Sequence, residues 1–155
     1  MAGKIEQVLK QKGITLPEPS APIANYVPYV IAGDLLHISG QGPMHNGKFM
    51  FSGKVGSDLF VPEGQMAARQ AALNVIAQAK VALDGDLDRI LRIVKLGGYV
   101  NCTADFTEHP LVINGASNLM VEIFGDHGKH ARTAIGVPSL PLNISVEIDA
   151  VIEIT

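Results

Sequence analysis

The sequence predicts an α+β domain of two layers, a mixed β-sheet with two helices packed on one face. Three observations predict it. From Ile144 to Ile154 every even position is apolar and the odd positions are mostly polar, a period of two that makes a long strand with one face on a core. Over roughly 62–83, Ala68, Ala72, Val75, Ile76, Ala79 and Leu83 fall on one stripe, the mark of a helix lying on a core. The elements run in the order βββ-α-β-α-β-β behind a leading helix, and two helices against a mixed sheet form a two-layer domain.

Taken in chain order, Ile5, Val8 and Leu9 among Lys and Glu make 4–12 a short amphipathic helix, ended by Gly13. Pro17, Pro19, Pro22 and Pro28 make 16–28 an extended lead-in. Tyr29–Ala32 and Leu35–Ser39 flank Gly33-Asp34, a two-residue hairpin connection. Gly40-Gln41-Gly42-Pro43 stops the second strand, and Gly47 and Gly53 bracket a short strand at 48–51. Pro62 suits the first turn of the long helix, off whose stripe fall Gln65, Arg69, Asn74 and Gln78; Asp84-Gly85-Asp86 ends it. Ile90 to Val100 is a long apolar strand, in which Gly97-Gly98 predicts a bulge or a close backbone approach. A second helix runs from about Pro110 to Phe124 with Val112, Ala116, Leu119, Met120 and Ile123 inward, and Gly125–His130 forms a glycine-rich loop before Arg132.

Composition narrows the function. At 155 residues the chain reads as one domain, 1–155, with 1–21 as a helical extension and lead-in. A net charge of −3 with no basic block argues against capture of nucleic acid, and the lack of Trp removes a stacking platform. The single Cys102 cannot close an internal disulfide. No apolar run reaches membrane length, and the first residues lack the apolar centre of a signal peptide, so a soluble cytoplasmic protein is expected.

Few polar residues stand out. Arg132 is either a surface arginine paired with Asp126 or a fork of donors for a substrate carboxylate. Glu147 shares a strand face with Ser145, Asp149 and Glu153, which a solvated face explains; the alternative is a carboxylate that holds or activates water. A guanidinium opening one strand and a carboxylate midway along the next could share one polar pocket for a small carboxylate. The five histidines make no compelling metal site, and His37 reads as a hydrogen-bonded structural residue. His45 and His109 read as loop residues. Cys102, with no evident His or cation beside it, reads as packing rather than nucleophile. No phosphate loop, dinucleotide fingerprint or nucleophile elbow is present.

Four blocks in order carry a resemblance. These are Ala24-Asn25-Tyr26 with Ala32–Pro43, containing Ser39-Gly40-Gln41; Ile93–Val100 with Asp105-Phe106; Asn114 in the second helix; and Ala131-Arg132-Thr133 followed by a Leu-Pro turn and the strand bearing Glu147. Over roughly 22–155 the chain resembles the Rid (YjgF-type) family of reactive-intermediate deaminases, also labelled endoribonuclease L-PSP. The resemblance implies a chorismate-mutase-like fold and a homotrimer with ligand pockets in the clefts between subunits. It implies Arg132 as the carboxylate clamp and Glu147 as water holder or acid/base. Tyr26, Ser39 and Asn114 would line the pocket, with main-chain contacts from Ala134. Tyr26 follows Asn25 where the family pattern has Gly-Pro, and Ala134 stands where a cysteine is usual.

The activity so implied is hydrolysis of small 2-enamine or 2-imine acids, such as 2-aminoacrylate, to 2-keto acids and ammonia, with no metal and no organic cofactor. The alternatives are a non-catalytic sensor of small carboxylates and, from the older label, RNA cleavage.

Overall fold

The computed structural model describes residues 2–21 and 24–155; Pro22, one of the lead-in prolines, lies outside the described residues. Ten elements follow in chain order: α1 (Lys4–Gln11), β1 (Tyr29–Ala32), β2 (Leu35–Gln41), β3 (Met44–His45), β4 (Lys48–Phe49), α2 (Val61–Ala82), β5 (Ile90–Asn101), α3 (His109–Phe124), β6 (Ala131–Val137) and β7 (Val146–Ile154). Five strands make one sheet in the order β1-β2-β7-β5-β6, and β3-β4 stand apart as a two-stranded ribbon. The β5–β6 pair is parallel and the other main-sheet pairs are antiparallel, so the sheet is mixed as expected. The predicted strand at 48–51 is half of that ribbon, whose other half, Met44-His45, the glycines around it concealed.

Helices α2 and α3 cover one face. Leu36, Ile93, Leu96, Val100, Val146, Ile148 and Ile152 point into that face and are fully buried against Ala68, Ala72, Val75, Leu119 and Met120. Alanine on the α2 stripe is what lets the two helices approach. The approach is close at Gly115 of α3, where a Cβ would strike the carbonyl of Gln65. That obstacle is helix backbone and cannot swing aside. Gly115→Ala is therefore expected to cost about 1–3 kcal/mol, seen as a lower midpoint in denaturant at unchanged slope.

The turns follow their sequence chemistry. Gly33 takes φ 63 between β1 and β2, where a side chain would be strained. The Gly97-Gly98 pair reflects close approach: a Cβ on Gly98 would stand 2.7 Å from Ile113, and one on Gly97 would overlap the Asp149 carboxylate. The register shifts of β5 lie earlier, at 90–95.

The leading helix is anchored to the domain. The Asp88 carboxylate accepts from the Lys4 and Ile5 backbone N–H groups at 2.8 and 2.9 Å, Lys80 pairs with Glu6 at 2.6 Å, and Leu9 is buried. Those two backbone hydrogen bonds, from Ile5 foremost, hold the Asp88 carboxyl below its ordinary range. The anchor is thus present above the unfolded carboxylate pKa and is lost as pH falls through the lowered one. Among the described residues, no helix is long and apolar enough to cross a membrane.

Candidate active site

Alternation along β7 decides where Glu147 goes. Val146 and Ile148 face the helices and are fully buried, so Glu147 emerges on the sheet face that no helix covers. There it lines a cavity of about 390 Å³ with Tyr26, Gly40, Met44, Phe49 and Leu142 among its walls. Gly40 lies against the carboxylate so closely that a Cβ would overlap it.

The walls are held from behind by polar residues of α2. Asn74 Nδ2 donates to the carbonyls of Gly42 and Met44, both at 2.9 Å, and Gln70 Nε2 donates to Met44 at 2.9 Å. Gln78 Nε2 donates to the Ser20 carbonyl at 2.9 Å. Sequence reasoning placed Asn74 and Gln78 off the buried stripe. They are buried because the carbonyls of Gly42, Met44 and Ser20 accept from their amide groups there. Ser39 does not line the cavity. Its hydroxyl donates to the Val27 carbonyl at 2.8 Å and its N–H to Pro28 at 2.9 Å, tying down the lead-in that carries Tyr26.

Burial, and secondarily the charge of Asp149, push the Glu147 carboxyl above its ordinary 4.5. Asp149 is itself fixed by the N–H of Gly97 at 3.1 Å and the hydroxyl of Tyr99 at 3.3 Å. A carboxyl with a raised folded pKa favours the native state below the unfolded pKa, and that contribution is lost as pH rises through the folded one. Glu147→Gln is thus expected to raise the melting temperature at about pH 7.5 and to leave it unchanged near pH 4, read by calorimetry at both values.

Arg132 belongs to the other face. It pairs in register with Leu96, a core residue, so its side chain runs toward α3. Its Nη1 donates to Asn114 Oδ1 at 2.8 Å and to Ser117 Oγ at 3.2 Å. Behind Ser117 stands His130, with Nε2 2.8 Å from the hydroxyl and Nδ1 2.6 Å from the Gly128 carbonyl. A carbonyl only accepts, so Nδ1 carries the hydrogen, and Nε2 then accepts from Ser117. The chain Arg132–Ser117–His130–Gly128 is consistent in every donor and acceptor. It holds the guanidinium by one nitrogen. Nε and Nη2 have no partner among the described residues, and they form the edge used for bidentate carboxylate binding. Ala134 follows two positions on, on the same face, packed on the core.

One expectation needs correction. Within a single chain Arg132 and Glu147 share no pocket. Their β5 partners are Leu96 and Tyr99, an odd number of residues apart, so strand alternation sends them to opposite faces of the sheet. The structure joins Arg132 to Asn114 and places Glu147 with Tyr26 in the wall of the cavity, in two separate surroundings. In the sequence Ser117 passes unnoticed, although it stands three residues after Asn114 on the same helical face, and His130 reads only as a poor metal ligand in a glycine-rich loop.

Other readings also change. Asp126 pairs with Lys129 at 2.8 Å, not with Arg132. Ser145 is fully buried rather than solvated, because it precedes β7. His37 is exposed on β2. His109 opens α3 rather than sitting in a loop, and its Nε2 lies 3.4 Å from Cys102 Sγ. Cys102 therefore does have a histidine beside it, and the charge of Lys54 also acts on it. His109 lies seven positions after Cys102, and the turn that brings them together leaves no periodic trace. No group of three or more metal-ligating side chains occurs among the described residues.

Residues 6–153 match the family model described as "YjgF/chorismate mutase-like, putative endoribonuclease". The match begins inside α1. Protein TCP17 of Trypanosoma cruzi is 47% identical over 154 residues, covering 99% of this chain and 96% of that protein. The crystal structure of Atu1372 from Agrobacterium tumefaciens, a protein of unknown function, shares 52% identity at TM-score 0.91, covering 97% of this chain and 92% of the other. A Shewanella oneidensis protein labelled in the same endoribonuclease terms shares 41% identity at TM-score 0.94, covering 98% and 100%. Fold, family model and relatives agree: the chain belongs to the YjgF/chorismate mutase-like family.

Proposed function

We propose that the protein hydrolyses small 2-enamine or 2-imine acids to 2-keto acids and ammonia, at sites completed between copies of the chain in a homotrimer. The observation that carries this is the pair of half-sites. One presents a guanidinium pre-oriented by Asn114 and Ser117 with a free edge, and the other presents a carboxylate facing a cavity. Each lacks what the other has. The uncovered sheet face supports assembly, since Val30 and Ile135 are about half exposed on it, at 52% and 45%.

The chemistry follows from the groups. The enamine reaches its imine by tautomerisation. Arg132 neutralises the substrate carboxylate and fixes the imine carbon opposite a water on Glu147, so much of the rate arises from positioning. Glu147 takes a proton as the water attacks, and its raised carboxyl is better matched to that task near neutrality than an ordinary one. The tetrahedral adduct then expels ammonia. The imine carbon is already electrophilic, so this route uses no cofactor. The apolar walls, Met44, Phe49 and Leu142, would receive the substrate side chain.

The test is release of keto acid and ammonia from freshly generated 2-aminoacrylate, compared with its spontaneous decay. The rate is expected to fall as pH drops through the raised Glu147 pKa, since the carboxylate is the working form. Acceleration that is absent in wild type while a keto acid still binds would favour the sensor. Cleavage of RNA by purified protein, lost in Glu147→Gln, would favour the older label.

A further inference from the structure

We propose that Cys102 and His109 form a thiol–imidazole pair that adds covalently to small α,β-unsaturated carboxylates in a second cavity. This cavity, of about 450 Å³, lies at the carboxyl ends of the parallel strands β5 and β6, with Lys54, Thr103, Phe106, Gly136 and Pro138 in its walls. It shares no lining residue with the cavity at Glu147.

Three features converge there. The first is the pair itself, with Sγ 3.4 Å from Nε2 and the imidazole held edge-on to Phe106, ring centres 5.3 Å apart at 85°. The second is Gly136. A Cβ at that position would stand 2.6 Å from Cys102 Sγ and would also overlap His109 Nε2, so a glycine there leaves the thiol and the ring open. The third is charge. Among the described residues Lys54 supplies the fixed charge lining the cavity, and no carboxylate lines it. Asp105 and Glu108 are exposed neighbours in the chain and are not among the walls. The Lys54 ammonium is fixed by Asn101 Oδ1 at 3.0 Å and by the Pro138 carbonyl, which leaves one of its three donors for a ligand.

Burial pushes the Cys102 thiol up, against smaller opposing pulls from Lys54 and from the Val137 backbone. The thiol is thus protonated at rest, and its reactivity depends on a base within reach. In the step proposed, the Sγ proton passes to His109 Nε2 and Sγ bonds to the β-carbon of the acid. The alkene π pair moves to the α-carbon, which then recovers a proton from His109. Thiol and alkene become a thioether, with no oxidant and no leaving group.

The experiment measures adduct formation by intact mass with acrylate and with acrylamide, a matched anionic and neutral pair, using glutathione as the reference thiol. The acrylate-to-acrylamide rate ratio is expected to exceed that of glutathione roughly tenfold, the low end of what a charged cleft provides. Cys102→Ser should abolish the adduct. His109→Gln should slow both reagents about 100-fold, and Lys54→Gln should bring the ratio back toward that of glutathione. The wild-type pH profile serves if a variant fails to fold: with assistance, the rate stops rising with pH while the thiol is still protonated. A glutathione-like ratio, or a wild-type rate that climbs steadily to the thiol's own ionisation, overturns the proposal, as does a folded His109→Gln variant reacting at the wild-type rate.

Discussion

Arg132→Ala is expected to lower kcat/KM on 2-aminoacrylate by roughly 100-fold or more while the protein stays folded. Charge-assisted hydrogen bonds contribute about 1.5–3 kcal/mol each, and a bidentate grip makes two. The loss should appear in kcat/KM because the clamp acts on bound substrate and transition state alike. The guanidinium is half-buried at the edge of the sheet, not in the core, and its partners Asn114 and Ser117 can turn to water when it goes. Arg132→Lys should recover little, because an ammonium cannot present two parallel donors. Wild-type rates in Arg132→Ala would remove the clamp from the mechanism.

Gly40→Ala should be nearly as damaging to activity and nearly harmless to stability. The added Cβ would occupy the space of the Glu147 carboxylate, the far end of a flexible side chain, which can swing away. A shift of about 1 Å in a catalytic group can cost on the order of 100-fold in rate. Gly40 is not among the positive-φ glycines, so alanine adds no backbone strain there. The melting temperature is thus expected to hold while kcat falls. Gly115→Ala provides the contrast: there the obstacle is the Gln65 carbonyl, and stability falls instead. If Gly40→Ala kept full activity, the carboxylate would not be working from the position the structure gives it.

What the sequence disclosed, and what it concealed, divides along a physical line. Periodicity announced every long element, because burial on one face repeats along a helix or strand: α2, α3, β5 and β7 end within a few residues of where the apolar pattern does. The two-strand ribbon of Met44-His45 and Lys48-Phe49 was half missed, since two-residue strands are too short to show a period. Individual functional groups were visible as residue types, but their surroundings were not. Nothing in the spacing of Arg132 and Glu147 tells that they leave opposite faces of the sheet; that requires knowing that β7 and β6 flank β5 on either side. Asn74 and Gln78 looked like surface residues because sequence shows the helix that carries them and not the carbonyls above it. His109 and Cys102 meet only because the turn at 103–108 folds the start of α3 back over the end of β5.

The central claim is that the Arg132 half-site of one copy works with the Glu147 half-site of another. Mixing tests it. Arg132→Ala and Glu147→Gln are each expected to be nearly inactive as pure proteins. Dissociated, combined in equal amounts and reassembled as trimers, they place an intact Arg132 beside an intact Glu147 in about one quarter of the clefts, and about that fraction of wild-type keto-acid release should return. Mixed trimers, verified by native mass measurement, that remain as inactive as their parents would contradict the account.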